Sequence, residues 1–196
     1  DGGENWDGPH AIQIDGPDGI GGIVYHLLTD ESLASIYEAM GLPLPPREEV
    51  PYTSGGDFDM AVSSDGNLHI AGMFAAAGIP TTEGSISYYP YGGSGAVLDV
   101  FTTDGGTTWY AEEMGRTIWV EGIIGAGPEL TQNNRVQITA HLNTDNPSND
   151  KFFISWSDTD LEDEESNVRP NIWCRGFDPA TGWAMIATAG IAARKY

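Results

Sequence analysis

The chain has 196 residues, with 8 Lys plus Arg against 29 Asp plus Glu, a formal charge of −21. That balance excludes a nucleic-acid binder working through a basic patch, because phosphate contacts need clustered Lys and Arg, and it argues against docking on anionic lipid. The 40% hydrophobic fraction, with 6 Trp, 8 Tyr and 6 Phe, excludes a disordered acidic tail. Glycine is dense, 26 residues without a collagen period, which predicts many tight turns and short strands. One cysteine, Cys174, leaves no internal disulfide. No run of about 18 apolar residues is present to span a membrane. The chain shows no signal peptide and opens abruptly at Asp1, so it reads as a processed or partial chain. A low pI with few Lys suits secreted and salt-adapted proteins, whose carboxylates keep the surface hydrated and repulsive.

In chain order, period-two patterns and short apolar runs predict strands at Ala11–Ile14, Ile23–Leu28, Asp59–Ser63, Leu68–Ala75, Ser85–Tyr89 and Ala96–Thr102. Further strands are predicted at Thr117–Glu121, Val136–His141, Phe152–Trp156, Asn171–Arg175 and Trp183–Ala187. One helix is predicted over Asp30–Met40. There Leu33, Ile36, Tyr37 and Met40 share a helical face, acidic residues open the segment and Gly41 follows it. Leu42–Pro51 is Pro-rich and reads as an extended loop. Asp145–Asp150 and Asp158–Asn167 read as polar loops.

Two short elements repeat. The first is a turn, Asp104-Gly105-Gly106-Thr107-Thr108-Trp109, preceded by Thr102 and Thr103. A shorter copy opens the chain at Asp1, Gly3 and Trp6, and a degenerate one runs from Asp178 to Trp183. The second is a hairpin, Met60–Ala71 around Asp65-Gly66-Asn67, with looser copies at Ala11–Leu28 and Val136–Trp156. The hairpin and the turn alternate, 49 residues apart from Met60 to Trp109 and 47 from Val136 to Trp183. A unit of that size with four short strands matches one propeller blade. The expected fold is therefore all-β. It is a β-propeller or propeller fragment of about three to four four-stranded blades, with one short helical insertion. The blade-like units fall at about 10–52, 59–120 and 135–190 of a single repeat region.

The turn resembles the Asp-box of BNR and sialidase-type β-propellers, Ser/Thr-x-Asp-x-Gly-x-Thr-Trp, with Thr102, Asp104, Gly106, Thr108 and Trp109 in its five places. The Val62–Ile70 stretch resembles a blade hairpin frequent in large secreted propellers of Bacteroidetes-like bacteria, often exported by the type IX pathway. The resemblance implies an extracellular or cell-surface location and further blades or another chain over exposed strand edges. The physical reading of the box is structural. Asp accepts N–H groups of its own turn, Gly106 permits positive φ, and Trp109 pins the turn to the blade.

Several residue sets offer chemistry. Sialidase-type hydrolysis needs three converging Arg, a Tyr–Glu nucleophile pair and an acid. The chain holds Arg47, Arg116, Arg135, Arg169, Arg175 and Arg194, without a Phe-Arg-Ile-Pro stretch. The acidic run Asp158–Glu165, including Asp158, Asp160, Glu162 and Asp163, offers calcium ligands or a solvated loop. Asp145, Asn146, Asn149 and Asp150 form a second, weaker set. The four His are scattered and Cys174 is alone, which disfavours zinc. His69 reads as a structural hydrogen-bonder, and Cys174 as an inert strand thiol. Tyr88, Tyr89 and Tyr91 could stack on sugar rings or pack within a strand. Gly92-Gly93-Ser94-Gly95 lacks the Lys-Ser/Thr of a phosphate loop and reads as a turn. The expected function is a non-enzymatic extracellular scaffold or adhesion module with a glycan or protein partner. The alternatives are a fragment of a sialidase-like glycoside hydrolase and a calcium-stabilised structural module.

Overall fold

The computed structural model describes residues 11–14, 16–39, 41–76, 95–117, 134–158, 171–178 and 182–185. They form one α-helix, α1 (Asp30–Ala39), and eight strands. The strands are β1 (Tyr52–Val62), β2 (Leu68–Ala76), β3 (Gly95–Phe101), β4 (Tyr110–Thr117), β5 (Gln137–His141), β6 (Lys151–Asp158), β7 (Asn171–Asp178) and β8 (Gly182–Met185). Each set of four is an antiparallel meander, β1-β2-β3-β4 and β5-β6-β7-β8. The described residues are thus mostly β, with two four-stranded sheets and one α-helix.

Helix α1 forms where the 3.6-residue spacing placed it. Thr29 caps it, accepting the Ser32 N–H at 3.1 Å. Asp30 and Glu31 complement the positive end of its dipole. Leu33 and Tyr37 are buried four residues apart. Arg47 fastens this region by bonding Asp30 and the carbonyls of Tyr25 (2.8 Å) and Leu28 (2.9 Å).

Two strand expectations fail. Ala11–Ile14 is irregular, and Ile23–Leu28 is a series of turns after a short 3-10 helix at Gly19–Gly22. The Ala11–Leu28 hairpin copy therefore does not form. Several apolar side chains there are buried all the same, with Ile12, Ile14 and Ile23 partly so. Val24, Leu27 and Leu28 join Leu33, Tyr37 and Val50 over Phe74, Ala96, Leu98 and Val100 on one face of the first sheet. Among the described residues of the expected first blade unit, 10–52, only Tyr52 lies in a strand.

The other face of the first sheet meets the second sheet. Ala71, Met73, Ala75, Val97 and Met114 pack on Val136, Ile138, Phe152, Ile154 and Trp156. Backbone approach between the sheets is concentrated at β1 with β5, and next at β2 with β5. Gly115 is required by this packing. A Cβ there would stand 2.7 Å from Trp156 Cζ2, so the indole fills the space a side chain would need.

β1 is longer than the predicted Asp59–Ser63. A register shift between Ser54 and Phe58 absorbs the Gly55-Gly56 pair that reads locally as a turn. β4 begins seven residues ahead of the strand expected at Thr117–Glu121, whose residues 118–121 lie outside the described ones. Its sequence, Tyr-Ala-Glu-Glu-Met-Gly-Arg-Thr, is too polar to carry a strong strand pattern. A second shift leaves Met114 without a partner between the Val97–Gly115 and Leu98–Glu113 pairs. Arg175 of β7 takes up the carbonyls there, donating from Nη1 to Glu113 O (2.6 Å) and Met114 O (3.2 Å).

Candidate functional site

The best-formed sequence motif lies between β3 and β4. The Thr102 hydroxyl donates to Asp104 Oδ1 at 2.9 Å and accepts the Gly106 N–H at 2.8 Å. Asp104 Oδ1 also accepts the Thr108 N–H at 2.8 Å. These bonds hold the Asp104 carboxyl below the usual carboxylate range, with the Thr108 N–H the main cause. Gly106 has φ of +95°, a left-handed conformation that costs a side-chain-bearing residue energy. Trp109 packs on the apolar cluster beneath. The turn is also tied to the neighbouring hairpin, because Gly105 N–H donates to Asn67 Oδ1 at 3.1 Å. All five box residues, Thr102, Asp104, Gly106, Thr108 and Trp109, are thus brought together as one hydrogen-bonded turn. Replacing Gly106 by alanine should cost about 1–2 kcal/mol, read as a lower urea midpoint with unchanged slope.

The degenerate copy occupies the matching place in the second sheet. Asp178 ends β7, Gly182 opens β8, and these two residues face each other in the ladder. Trp183 is on β8, and Asp178 pairs with Lys151 Nζ at 2.9 Å. Asp1, Gly3 and Trp6 lie outside the described residues. So do Asp160, Glu162 and Asp163 of the acidic run, the aromatic residues Tyr88, Tyr89 and Tyr91, and the glycine turn's Gly92, Gly93 and Ser94. Asp158 is buried at the end of β6. Among the described residues no group of three or more His, Cys, Asp or Glu is placed to hold a metal ion. Cys174 is half-buried on β7, and burial pushes its thiol up.

The contacts between the sheets use carboxylates that the sequence did not single out for this role. Asp150 precedes β6 and is 3% exposed. It accepts the Asn143 N–H (2.6 Å), the Ser64 N–H (2.7 Å) and the Ser64 hydroxyl (2.8 Å). Desolvation is the largest influence and pulls its pKa up. The backbone N–H groups of Asn143 and Ser64, the Ser64 hydroxyl and the charge of His141 together outweigh it, so the net shift is down. One carboxylate therefore joins the β1–β2 hairpin turn to the β5–β6 loop. Asp145, Asn146 and Asn149, its companions in the weaker calcium set, are exposed.

A row of directly paired residues, Asp59, Ala71, Asp99 and Glu112, crosses the first sheet on the face turned to the second. Asp59 Oδ1 accepts the Met60 N–H at 2.9 Å, and Oδ2 accepts the Ile138 N–H of β5 at 3.1 Å. Asp99 is 1% exposed and shares a 2.9 Å hydrogen bond with His69 Nδ1. The imidazole stacks on Phe101 (centroids 5.4 Å) and on Phe152 of the second sheet (4.0 Å). Asp99 Oδ1 has no hydrogen-bond partner among the described residues. Burial raises the Asp99 pKa, opposed by the hydrogen bond and charge of His69. Burial raises Glu112 too, opposed by Arg175 and assisted by Asp99. His69 is thus the hydrogen-bonder the hairpin pattern implied, but its partner lies 30 residues away.

A carboxyl whose folded pKa is raised stabilises most below its unfolded pKa. That contribution is lost as pH rises through the folded value. Asp99→Asn should therefore flatten the fall in stability between the ordinary carboxylate range and neutrality. Paired urea titrations of the variant and the native chain across that range check this.

Arg47, Arg116 and Arg175 are each engaged by the fold, and Arg47 and Arg116 meet at the Tyr25–Leu28 turns. Arg47 serves the helix, and Arg116 bonds Glu113 and the Leu27 carbonyl. Arg175 serves the β4 carbonyls, and Arg135 lies before β5 with φ of +45°. Arg169 and Arg194 lie outside the described residues. No helix among the described residues is long and apolar enough to cross a membrane. Comparison of the chain with protein-family models, with curated proteins and with solved structures finds no match.

Proposed function

We propose that the chain is a non-enzymatic, extracellular β-propeller-type module, a cell-surface scaffold or adhesion unit whose loop face meets a glycan or protein partner. The observation that carries the reading is the tandem of two four-stranded meanders, stacked face to face and nearest at their first strands. Consecutive propeller blades converge in that way toward an axis. The box turn and its degenerate copy both join the third strand of a sheet to the fourth, as a repeated unit requires.

The chemistry supports a scaffold over a hydrolase. Asp59, Asp104 and Asp150 are bonded to backbone N–H groups, and Asp99 to an imidazole. Each of these bonds fixes a turn or a sheet contact. Arg47 and Arg116 are bonded to main-chain carbonyls of one turn segment, Tyr25–Leu28, and Arg175 to those of β4, so each guanidinium is already engaged in holding the fold.

A panel of fluorogenic glycosides tests the reading. The expected result is no turnover above the uncatalysed rate. Turnover that a single Asp or Glu substitution abolishes would establish the glycoside hydrolase in its place. Protease shaving of intact source cells checks the location, and the chain should be removed without lysis.

A further inference from the structure

The loop end of the sheet-to-sheet contact is built on groups that exchange protons. His69 of β2 is 14% exposed and Asp99 of β3 is 1% exposed. His69 alternates with Ala71 and Met73, and Asp99 with Val97, so both side chains lie on the face turned to the second sheet. The second sheet closes directly on the pair. Phe152 of β6, itself 3% exposed, stacks on the imidazole with centroids 4.0 Å apart and planes 26° apart. Phe101 flanks the same ring from within the first sheet. The imidazole is therefore part of the interface, and separating the sheets here wets His69 and Asp99 together.

Asp99 Oδ2 shares the hydrogen bond with His69, while Oδ1 meets no partner among the described residues. A buried carboxylate with one oxygen unpaired is costly as an anion. One proton on the pair relieves this, either as a neutral acid against imidazole or as an ion pair with imidazolium. The surrounding groups do not. Asp59 of β1 and Glu112 of β4 stand in the same cross-strand row and are acidic too. Asp59 accepts the Met60 and Ile138 N–H groups. Burial raises Glu112, with Arg175 of β7 opposing and Asp99 adding. Arg175 Nη1 is held by the β4 carbonyls, and Tyr110 sits beyond Phe101. On β5 and β6 the side chains that enter the cluster, from Val136 and Ile138 to Phe152 and Ile154, carry no charge, and Asp158 closes the other end of β6. Asp150, two residues before Phe152 and under the charge of His141, holds the separate bridge to Ser64.

We propose that this end of the interface is a proton-operated clasp: it closes on one proton held between His69 and Asp99, and it becomes prone to local opening when that proton leaves, the rest of the fold staying intact. Burial raises Asp99, so closing takes the proton up. The clasp is full below the ordinary carboxylate pKa of about 4 and is lost as pH rises through the higher folded value. Asp150 acts at the same end with the opposite sign. Its folded pKa is lowered, so its bridge is lost as pH falls. The contact is consequently tightest near the ordinary carboxylate pKa and loosens on both sides. The inference stands on this geometry and not on the scaffold reading.

Native-state hydrogen exchange of the full chain tests it, read amide by amide by NMR from about pH 4 to about pH 8 and corrected for intrinsic exchange. The Ile138 N–H crosses the interface to Asp59 and reports the clasp. Its protection should fall with rising pH, by up to about tenfold per pH unit while one proton is released. The Leu33 N–H of α1, bonded to the Thr29 carbonyl, should hold steady. Asp99→Asn should remove the fall at Ile138. His69→Gln takes away the hydrogen bond and charge that lower Asp99, so the fall should move to higher pH. This variant carries the test if Asp99→Asn does not fold. Val62→Thr should leave the curve where it is, because Val62 is 52% exposed on the face of β1 turned from the second sheet. A pH-independent Ile138 amide overturns the inference. So does an equal fall at Leu33, which marks global unfolding. An unchanged fall in Asp99→Asn, or an unmoved one in His69→Gln, overturns it as well.

Discussion

Trp156→Ala should lower the unfolding free energy by about 3–5 kcal/mol, the usual range for a buried large aromatic. The indole is 3% exposed and stands in the inter-sheet cluster between Ile154, Met114 and the Gly115 backbone. Truncating it removes apolar contact on both sheets and leaves a cavity that rigid strands close poorly. Gly115→Ala tests the same contact from the other side. Its Cβ would start 2.7 Å from Cζ2 of a buried ring, an overpacking that should cost about 1–3 kcal/mol. Combined, the two changes should not add. In the Trp156→Ala background the alanine at position 115 enters empty space, and its cost should vanish or reverse. A double-mutant cycle by urea denaturation measures this. Additive costs would show that the ring does not occupy the space above Gly115.

Asp150→Asn should cost about 2–3 kcal/mol, the scale of losing hydrogen bonds to a charged, buried acceptor. The amide keeps one acceptor oxygen but turns an NH₂ toward N–H and O–H donors of Ser64 and Asn143. The folded pKa of Asp150 is lowered, so its contribution is present above the unfolded carboxylate pKa. It is lost as pH falls through the folded value. Below about pH 4, where unfolded carboxylates take up protons, the native chain should lose stability more steeply than Asp150→Asn. Ser64→Ala should cost less in the Asp150→Asn background than in the native chain, because the shared charged bond is already gone. It should still cost something, because the hydroxyl keeps its 3.2 Å bond to the Asn143 carbonyl. Parallel acid limbs for the native and variant chains would show that Asp150 does not bridge the hairpins in solution.

The parts of the fold legible in the sequence are those made by near neighbours. The Thr102–Trp109 turn closes through bonds spanning two to four residues, so its residue types are visible in a short window. The Met60–Ala71 hairpin closes in the same way through Ser63, Gly66 and Asn67. Helix α1 follows from spacing, a cap and acidic first-turn residues. Strands β2, β3, β5 and β6 follow from apolar runs or alternation that burial then uses.

Elements that depend on distant partners are not legible in a local window. Ile23–Leu28 has the apolar content of a strand, and its Val24, Leu27 and Leu28 are buried. It lies in turns because it caps a sheet face and pairs with no strand among the described residues. β4 is polar along its length and becomes a strand because β3 offers it a ladder and Arg175 stabilises its irregular carbonyls. The carboxylates that unite the sheets act across large separations: 86 residues for Asp150 and Ser64, 79 for Asp59 and Ile138. A local window sees such an Asp only as a charged residue beside a turn or in a strand. By itself the sequence determined the β class, the turn chemistry and the approximate places of most strands, because local hydrogen bonds and side-chain period set these. Only the tertiary structure decided that two sheets stack, which carboxylates join them, and which face of β1 stays open. Those outcomes depend on desolvation and on partners that the chain brings together only when it folds.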